Sequence, residues 1–65
     1  MMTDEQKRNW LEERLQAMEF INGYMGFLED IIRIDGISNS VKSEFNRARD
    51  RWDVITIELA RGFPE

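Results

Sequence analysis

The residues of this sequence that could carry out chemistry are few, and they cluster at the start of a predicted helix. Ser40, Lys42 and Ser43 lie within four positions of one another, and a serine beside a lysine is one route to an activated nucleophile. Helix capping explains the serines more simply, because serine is preferred where a helix begins. The chain has no histidine and no cysteine, which removes the commonest general base, thiol chemistry and thiolate metal sites. We therefore predict that the protein is not an enzyme.

The spacing of the acidic residues and glycines also disfavours a metal or phosphate site. Glu29 and Asp30 are adjacent on a predicted helix, and no loop of alternating aspartates accompanies them. Gly23 and Gly26 neither follow a predicted strand nor begin a helix, as a phosphate-binding loop would require. The sequence therefore predicts neither a metal nor another cofactor.

Composition and length favour a small acidic protein of the cytoplasm. The 65 residues carry 13 acidic and 9 basic side chains, and the net charge of -4 disfavours nucleic acid and anionic membranes as partners. No apolar run approaches the roughly 20 residues that span a bilayer, and the polar first ten residues do not resemble a signal peptide. This length allows one domain over residues 1–65. Such a chain buries only about 60% of its unfolded surface, so association or close helix packing must stabilise it.

The first helix is predicted from its two ends and from an unbroken apolar period between them. Thr3 and Gln6 form a capping-box pattern, and Gly36 suits a left-handed C-terminal cap. Asn22-Gly23 is a turn signal, but the apolar residues on both sides keep the same spacing of three and four across it. We therefore predict one helix over about residues 4–35, with a kink near Gly23 as the open question.

A second helix is predicted over about residues 40–61. Its apolar residues form a narrow seam of the coiled-coil type, at positions 41, 45, 48, 52, 55 and 59. Gly62 suits its C-terminal cap, and Pro64 prevents its continuation. At the two caps, Ile37 is expected to fold back onto Ile32, and Phe63 onto Ile57 or Glu58. The N-cap of this second helix is expected to be Ser38, Asn39 or Ser40. The short connection makes the helices antiparallel neighbours, so the predicted fold is all-α, a two-helix hairpin.

The apolar face of the first helix is much wider than the seam of the second. It extends over about 200° of the helix circumference, whereas the seam occupies roughly 80°. One narrow helix cannot cover this face, and contiguous exposed apolar surface usually marks an interface. We predict that two hairpins associate about a two-fold axis into a four-helix bundle. The predicted self-interface, which a single hairpin would leave largely in water, comprises Phe20, Tyr24, Phe27, Ile31 and Ile34.

Arg14 lies within the apolar face of the first helix, near the level of Glu58 on the second. We expect a salt bridge between them, and a role of Arg14 in opposing wrong helix alignments is the alternative interpretation. A dimer of hairpins with this architecture resembles, in shape and not in sequence pattern, the Rop-type regulators of plasmid copy number.

A line of acidic residues interrupted by glycines predicts a second surface, for docking another protein. Its members recur along one outer face of the first helix: Glu5, Glu12, Glu19, Gly23, Gly26 and Asp30. Bare backbone at the glycines admits close approach, and the acids suit a basic partner. A solvated face with the ion pairs Arg8–Glu12 and Glu29–Arg33 is the simpler alternative.

These features predict a non-enzymatic protein-binding module that acts as a homodimer through its helical surfaces. Small acidic helical proteins of this kind are often regulators or inhibitors in bacteria and phages. Three alternatives stay open. A small structural subunit of a larger complex would use the wide apolar face against another chain. A ligand-sequestering dimer would hold a small molecule between the helices, near Asn22, Tyr24 and arginines. A Rop-like RNA-binding hairpin would lose affinity steeply with added salt.

Overall fold

Two antiparallel helices form the protein in a computed structural model that describes residues 1–64. Helix α1 comprises Asp4–Asp35 and helix α2 comprises Asn39–Arg61. Residues 1–64 contain no strand. The predicted all-α hairpin is therefore confirmed, with α2 beginning one residue earlier than expected. Neither helix within the described range is both long enough and apolar enough to cross a membrane.

Helix α1 begins at the predicted capping box and continues through both glycines. Thr3 Oγ1 accepts a hydrogen bond from the Gln6 N–H at 3.1 Å, and Gln6 Oε1 accepts one from the Thr3 N–H at 2.9 Å. The molecule is 49 Å long. A straight helix with the 32 residues of α1 spans about 48 Å, which is nearly the full length of the molecule. Asn22-Gly23 therefore introduces no sharp kink.

Each helix ends at a glycine with positive φ, as predicted, but the chain leaves each cap in an extended direction. Gly36 has φ 81° and ψ 176°, and Gly62 has φ 86° and ψ -167°. These combinations are essentially restricted to glycine. The cap N–H groups donate to the carbonyls of Ile32 and Glu58, at 2.9 Å and 3.1 Å. Both glycines cap their helices as predicted, but their ψ angles are extended instead of left-handed.

The extended ψ values change where the residues after the caps lie. Ile37 remains exposed, so the expected fold-back onto Ile32 does not bury it. Phe63 crosses to α1 and contacts Trp10, whereas we expected it to return to α2. At the other end of α2, Ser38 is the N-cap, and its Oγ accepts from the Val41 N–H at 3.2 Å.

The core of the hairpin is thin. Ile21 and Leu28 from α1 and Ala48 from α2 are the only buried residues in the described range, and each keeps 4–6% of its surface exposed. The remaining residues of the α2 seam are half-buried: Val41, Phe45, Trp52, Ile55 and Leu59. Two helices side by side share only one line of contact, so a lone hairpin leaves much apolar surface in water.

Candidate functional site

The most prominent surface of the molecule is the apolar stripe, which we define as Phe20, Phe27 and Ile34. These side chains recur every seven residues along α1 and therefore lie on one line of the helix. They are 76%, 59% and 80% exposed, respectively. A contiguous exposed apolar surface is uncommon on a soluble protein that acts as a monomer. The apolar stripe is therefore the first candidate for a binding surface.

The other two residues of the predicted self-interface, Tyr24 and Ile31, adjoin the apolar stripe on the same side of α1. Both are half-buried, whereas we expected them to lie largely in water. The physical reason for Tyr24 is that its hydroxyl donates a hydrogen bond to Glu44 Oε2 on α2 at 3.1 Å. The structure thus brings all five predicted residues to one side of α1, with two of them partly covered.

The contact between Tyr24 and Glu44 has an electrostatic consequence. The hydrogen bond to the Glu44 carboxylate raises the pKa of Tyr24 above its ordinary value, and desolvation and the negative charge act in the same direction. Arg47 opposes this change in pKa. Its Nη1 lies 3.4 Å from Glu44 Oε1. The Glu44 carboxylate therefore joins a tyrosine of α1 to an arginine of α2.

An open groove of about 360 Å³ lies between the helices, beside the apolar stripe. Its lining residues are Ala17, Phe20, Ile21, Tyr24, Glu44, Arg47, Ala48 and Arg51. Tyr24 and two arginines line it, as the ligand-binding alternative expected, but Asn22 does not. The α2 side of the groove is formed largely by charged residues, in contrast to the apolar α1 side.

The predicted acidic docking surface is exposed along α1, with Gly26 alone among its members half-buried. A Cβ atom added at Gly23 or Gly26 would meet nothing within 4 Å, so packing inside the chain does not require glycine at either position. The expected ion pairs do not form in the described residues. Arg33 Nη2 lies 3.5 Å from Asp30 Oδ1 instead of pairing with Glu29. Most of this surface thus carries unpaired negative charge.

A third cluster joins the helices at the end far from their connection. Arg14 Nε donates to Glu58 Oε2 at 3.0 Å, which confirms the predicted salt bridge. Arg14 Nη1 also donates to the Trp10 carbonyl at 3.2 Å, and the guanidinium carbon lies 4.1 Å from the centre of the Trp10 ring. Phe63 meets that ring edge to face at 5.2 Å, and Lys7 Nζ lies 5.4 Å from the Phe63 ring. Sequence reasoning missed the Trp10–Phe63 contact, although both residues lie at the same end of the hairpin.

Neither a metal site nor a known relative adds to this description. Residues 1–64 contain no group of three or more acidic side chains placed to hold a metal ion. By fold the protein belongs to the class of antiparallel two-helix hairpins. The surface feature that best indicates a binding function is the exposed apolar stripe. No protein-family model, curated protein or solved structure matches the chain.

Proposed function

We propose that this protein is a non-enzymatic protein-binding module that acts as a homodimer of hairpins and serves as a regulator or inhibitor. The observation that supports this function best is the exposure of the apolar stripe formed by Phe20, Phe27 and Ile34. Large apolar side chains in one line form the centre of many interfaces, and aromatic residues contribute strongly there.

The thin core favours a second copy of the chain as the first occupant of the apolar stripe. Only Ile21, Leu28 and Ala48 are buried in the described residues, and the absence of cysteine excludes a disulfide. Proteins of this size commonly gain the missing stability by association. A second hairpin that binds only the folded form would stabilise it by mass action.

A homodimer through the apolar stripe would leave the acidic docking surface of α1 free for a different protein. Glu5, Glu12 and Glu19 are exposed and form no ion pair in residues 1–64. We propose that this surface meets a basic partner, because complementary charge speeds encounter and opposes wrong partners. In this arrangement the apolar stripe holds the dimer together, and the acidic docking surface next to it on α1 recognises the target.

Solution mass measured by light scattering tests the homodimer directly. The wild-type chain should have twice its monomer mass of 7.8 kDa. Phe27→Glu should be monomeric, because it places a charge in the middle of the apolar stripe. Val54→Glu is the matched control, since Val54 is similarly exposed but lies on α2, and this variant should remain a dimer. A stable wild-type monomer at micromolar concentration would contradict the proposal.

A further inference from the structure

We infer that the groove between the helices binds a small organic anion that joins an aromatic ring system to one carboxylate. This binding is separate from the proposed function, and it does not require the homodimer, because a single chain supplies every residue that lines the groove. Three features of the groove select this ligand: its apolar bottom and α1 side, the positive charge on its α2 side, and its size.

The bottom of the groove and its α1 side suit an apolar ring. Ile21 and Ala48 are buried and still line the groove, so they form its bottom. Phe20 lies on the α1 side and is exposed. Small-molecule sites combine apolar lining of this kind with a few polar groups, in volumes of roughly 300–1,000 Å³. The groove volume of about 360 Å³ is at the lower end of this range, which favours a ligand of one or two rings.

The α2 side gives the groove a positive charge, although the whole chain carries a net charge of -4. Arg47 and Arg51 line this side together with one acidic residue, Glu44. Glu44 is already engaged, because its carboxylate accepts a hydrogen bond from the Tyr24 hydroxyl at 3.1 Å and lies 3.4 Å from Arg47 Nη1. Arg47 thus balances the charge of Glu44, and the charge of Arg51 remains unbalanced.

Arg51 is the group that would hold the carboxylate of the ligand. It is exposed and forms no ion pair within residues 1–64. The residues three and four positions from it on α2 include no acid, and one of them is Arg47. Like charges four residues apart on a helix repel each other and destabilise it. A bound carboxylate would offset this repulsion, so the groove favours an anion over a neutral molecule.

The arginines also favour an aromatic ring over an aliphatic chain. A guanidinium is attracted to the face of an aromatic ring, and Arg14 makes such a contact in this molecule, 4.1 Å from the centre of the Trp10 ring. Phe20 on the opposite side of the groove can contact the same ligand ring edge to face. A flat ring between Phe20 and Arg51 therefore uses both sides of the groove.

Backbone amide NMR spectra of the wild-type chain, titrated with naphthoate to millimolar concentration, locate the site. Naphthoate has two fused rings and one carboxylate. We expect saturable shifts for amides of residues 17–21 and 47–51, together with a shift of the Arg51 Nε–H. Shifts confined to Phe27 and Ile34 would place naphthoate on the apolar stripe and overturn the inference. The absence of any saturable shift would overturn it as well.

Arg51→Gln tests the role of charge in the groove. Wild type should bind naphthoate about threefold to tenfold more tightly than the neutral naphthyl methanol, and Arg51→Gln should lose most of this preference. Arg49→Gln is the matched control, because it makes the same change in net charge at an exposed α2 residue that does not line the groove. It should change the preference less than about twofold. Equal losses in the two variants would show a general attraction between charges and overturn the assignment of Arg51.

Ala17→Leu tests the groove itself as the site. Ala17 lines the groove and is half-buried, so a leucine there occupies space that the ring would fill. Both naphthoate and naphthyl methanol should bind about fivefold or more weakly, because less apolar surface can be buried. Gln16→Leu is the matched control at an exposed neighbour outside the groove, and it should leave both affinities within about twofold. Circular dichroism shows whether each variant keeps its helices. Undiminished binding in a helical Ala17→Leu variant would overturn the inference.

Discussion

Arg14 of α1 and Glu58 of α2 form a hydrogen-bonded ion pair between the helices, with Arg14 Nε 3.0 Å from Glu58 Oε2. The same guanidinium covers the Trp10 ring at 4.1 Å and donates to the Trp10 carbonyl. These contacts explain how a charge is held within the apolar face of α1. The Arg14 side chain is only 23% exposed, and its charged group is satisfied by a carboxylate, a carbonyl and an aromatic ring.

Removing the Glu58 carboxylate should destabilise the hairpin. Glu58→Ala should lower the free energy of unfolding by about 1 kcal/mol, and partial exposure of both side chains limits the effect. Urea denaturation at fixed chain concentration measures it. Glu13→Ala is the control, because Glu13 lies 3.8 Å from the same guanidinium but is largely exposed. Its effect should stay within about 0.5 kcal/mol. Equal losses in the two variants would contradict a specific role for Glu58.

Phe63 should shield Trp10 from water. In a Trp52→Phe background, Trp10 is the only tryptophan, so its fluorescence reports this contact alone. Phe63→Ala should shift the Trp10 emission to longer wavelength and lower the free energy of unfolding by about 1 kcal/mol, because an edge-to-face aromatic pair is lost.

Ile57→Ala serves as the control for this prediction. Ile57 is the residue that Phe63 would contact if the chain turned back onto α2 after Gly62, and it is half-exposed in the structure. The Trp10 emission should therefore stay unchanged in Ile57→Ala. A shift in Ile57→Ala with none in Phe63→Ala would show that Phe63 does not pack on Trp10.

Ionisation of Tyr24 should destabilise the fold at high pH. The hydrogen bond to Glu44 raises the pKa of Tyr24 in the folded chain, so the folded state holds the proton more tightly than the unfolded state does. This contribution to stability is fully present below the unfolded pKa of about 10 and is lost as the pH rises through the folded pKa. Wild type should therefore lose more stability than Tyr24→Phe across this range.

Absorbance titration of tyrosinate measures the same effect independently. Tyr24 is the only tyrosine of the chain, so the signal needs no assignment. In the folded protein the midpoint should lie above that of the chain in urea. Glu44→Gln should lower the folded midpoint, because it removes the negative charge that accepts the hydrogen bond. Coincident midpoints for folded and unfolded wild type would contradict the prediction.

Alanine substitution should have opposite effects at the helix-interior and helix-end glycines. Gly23→Ala should raise the free energy of unfolding by up to about 1 kcal/mol, because the added Cβ meets nothing and alanine favours the helix. Gly36→Ala should lower it, because alanine is strained at the φ of 81° found there. Urea denaturation of both variants at one concentration checks the signs. A loss of stability in Gly23→Ala would show that another group already packs against the backbone at Gly23.

Local patterns in the sequence determined the helices and their ends. The capping box of Thr3 and Gln6 and the positive-φ glycines at 36 and 62 are correct predictions, because caps depend on residues within one turn. The apolar period also correctly predicted that α1 continues through Asn22-Gly23. The width of the apolar face also indicated in advance that Phe20, Phe27 and Ile34 would be exposed.

The tertiary structure alone decided which side chains meet across the helices. Tyr24 of α1 reaches Glu44 of α2 and so becomes half-buried. The ψ angle of Gly62 directs Phe63 to Trp10 instead of back along α2. Helical periodicity fixes the direction of each residue about its own axis. The axial alignment of two helices, the rotamers and the path after a cap depend on contacts far apart in the sequence, which no local pattern specifies.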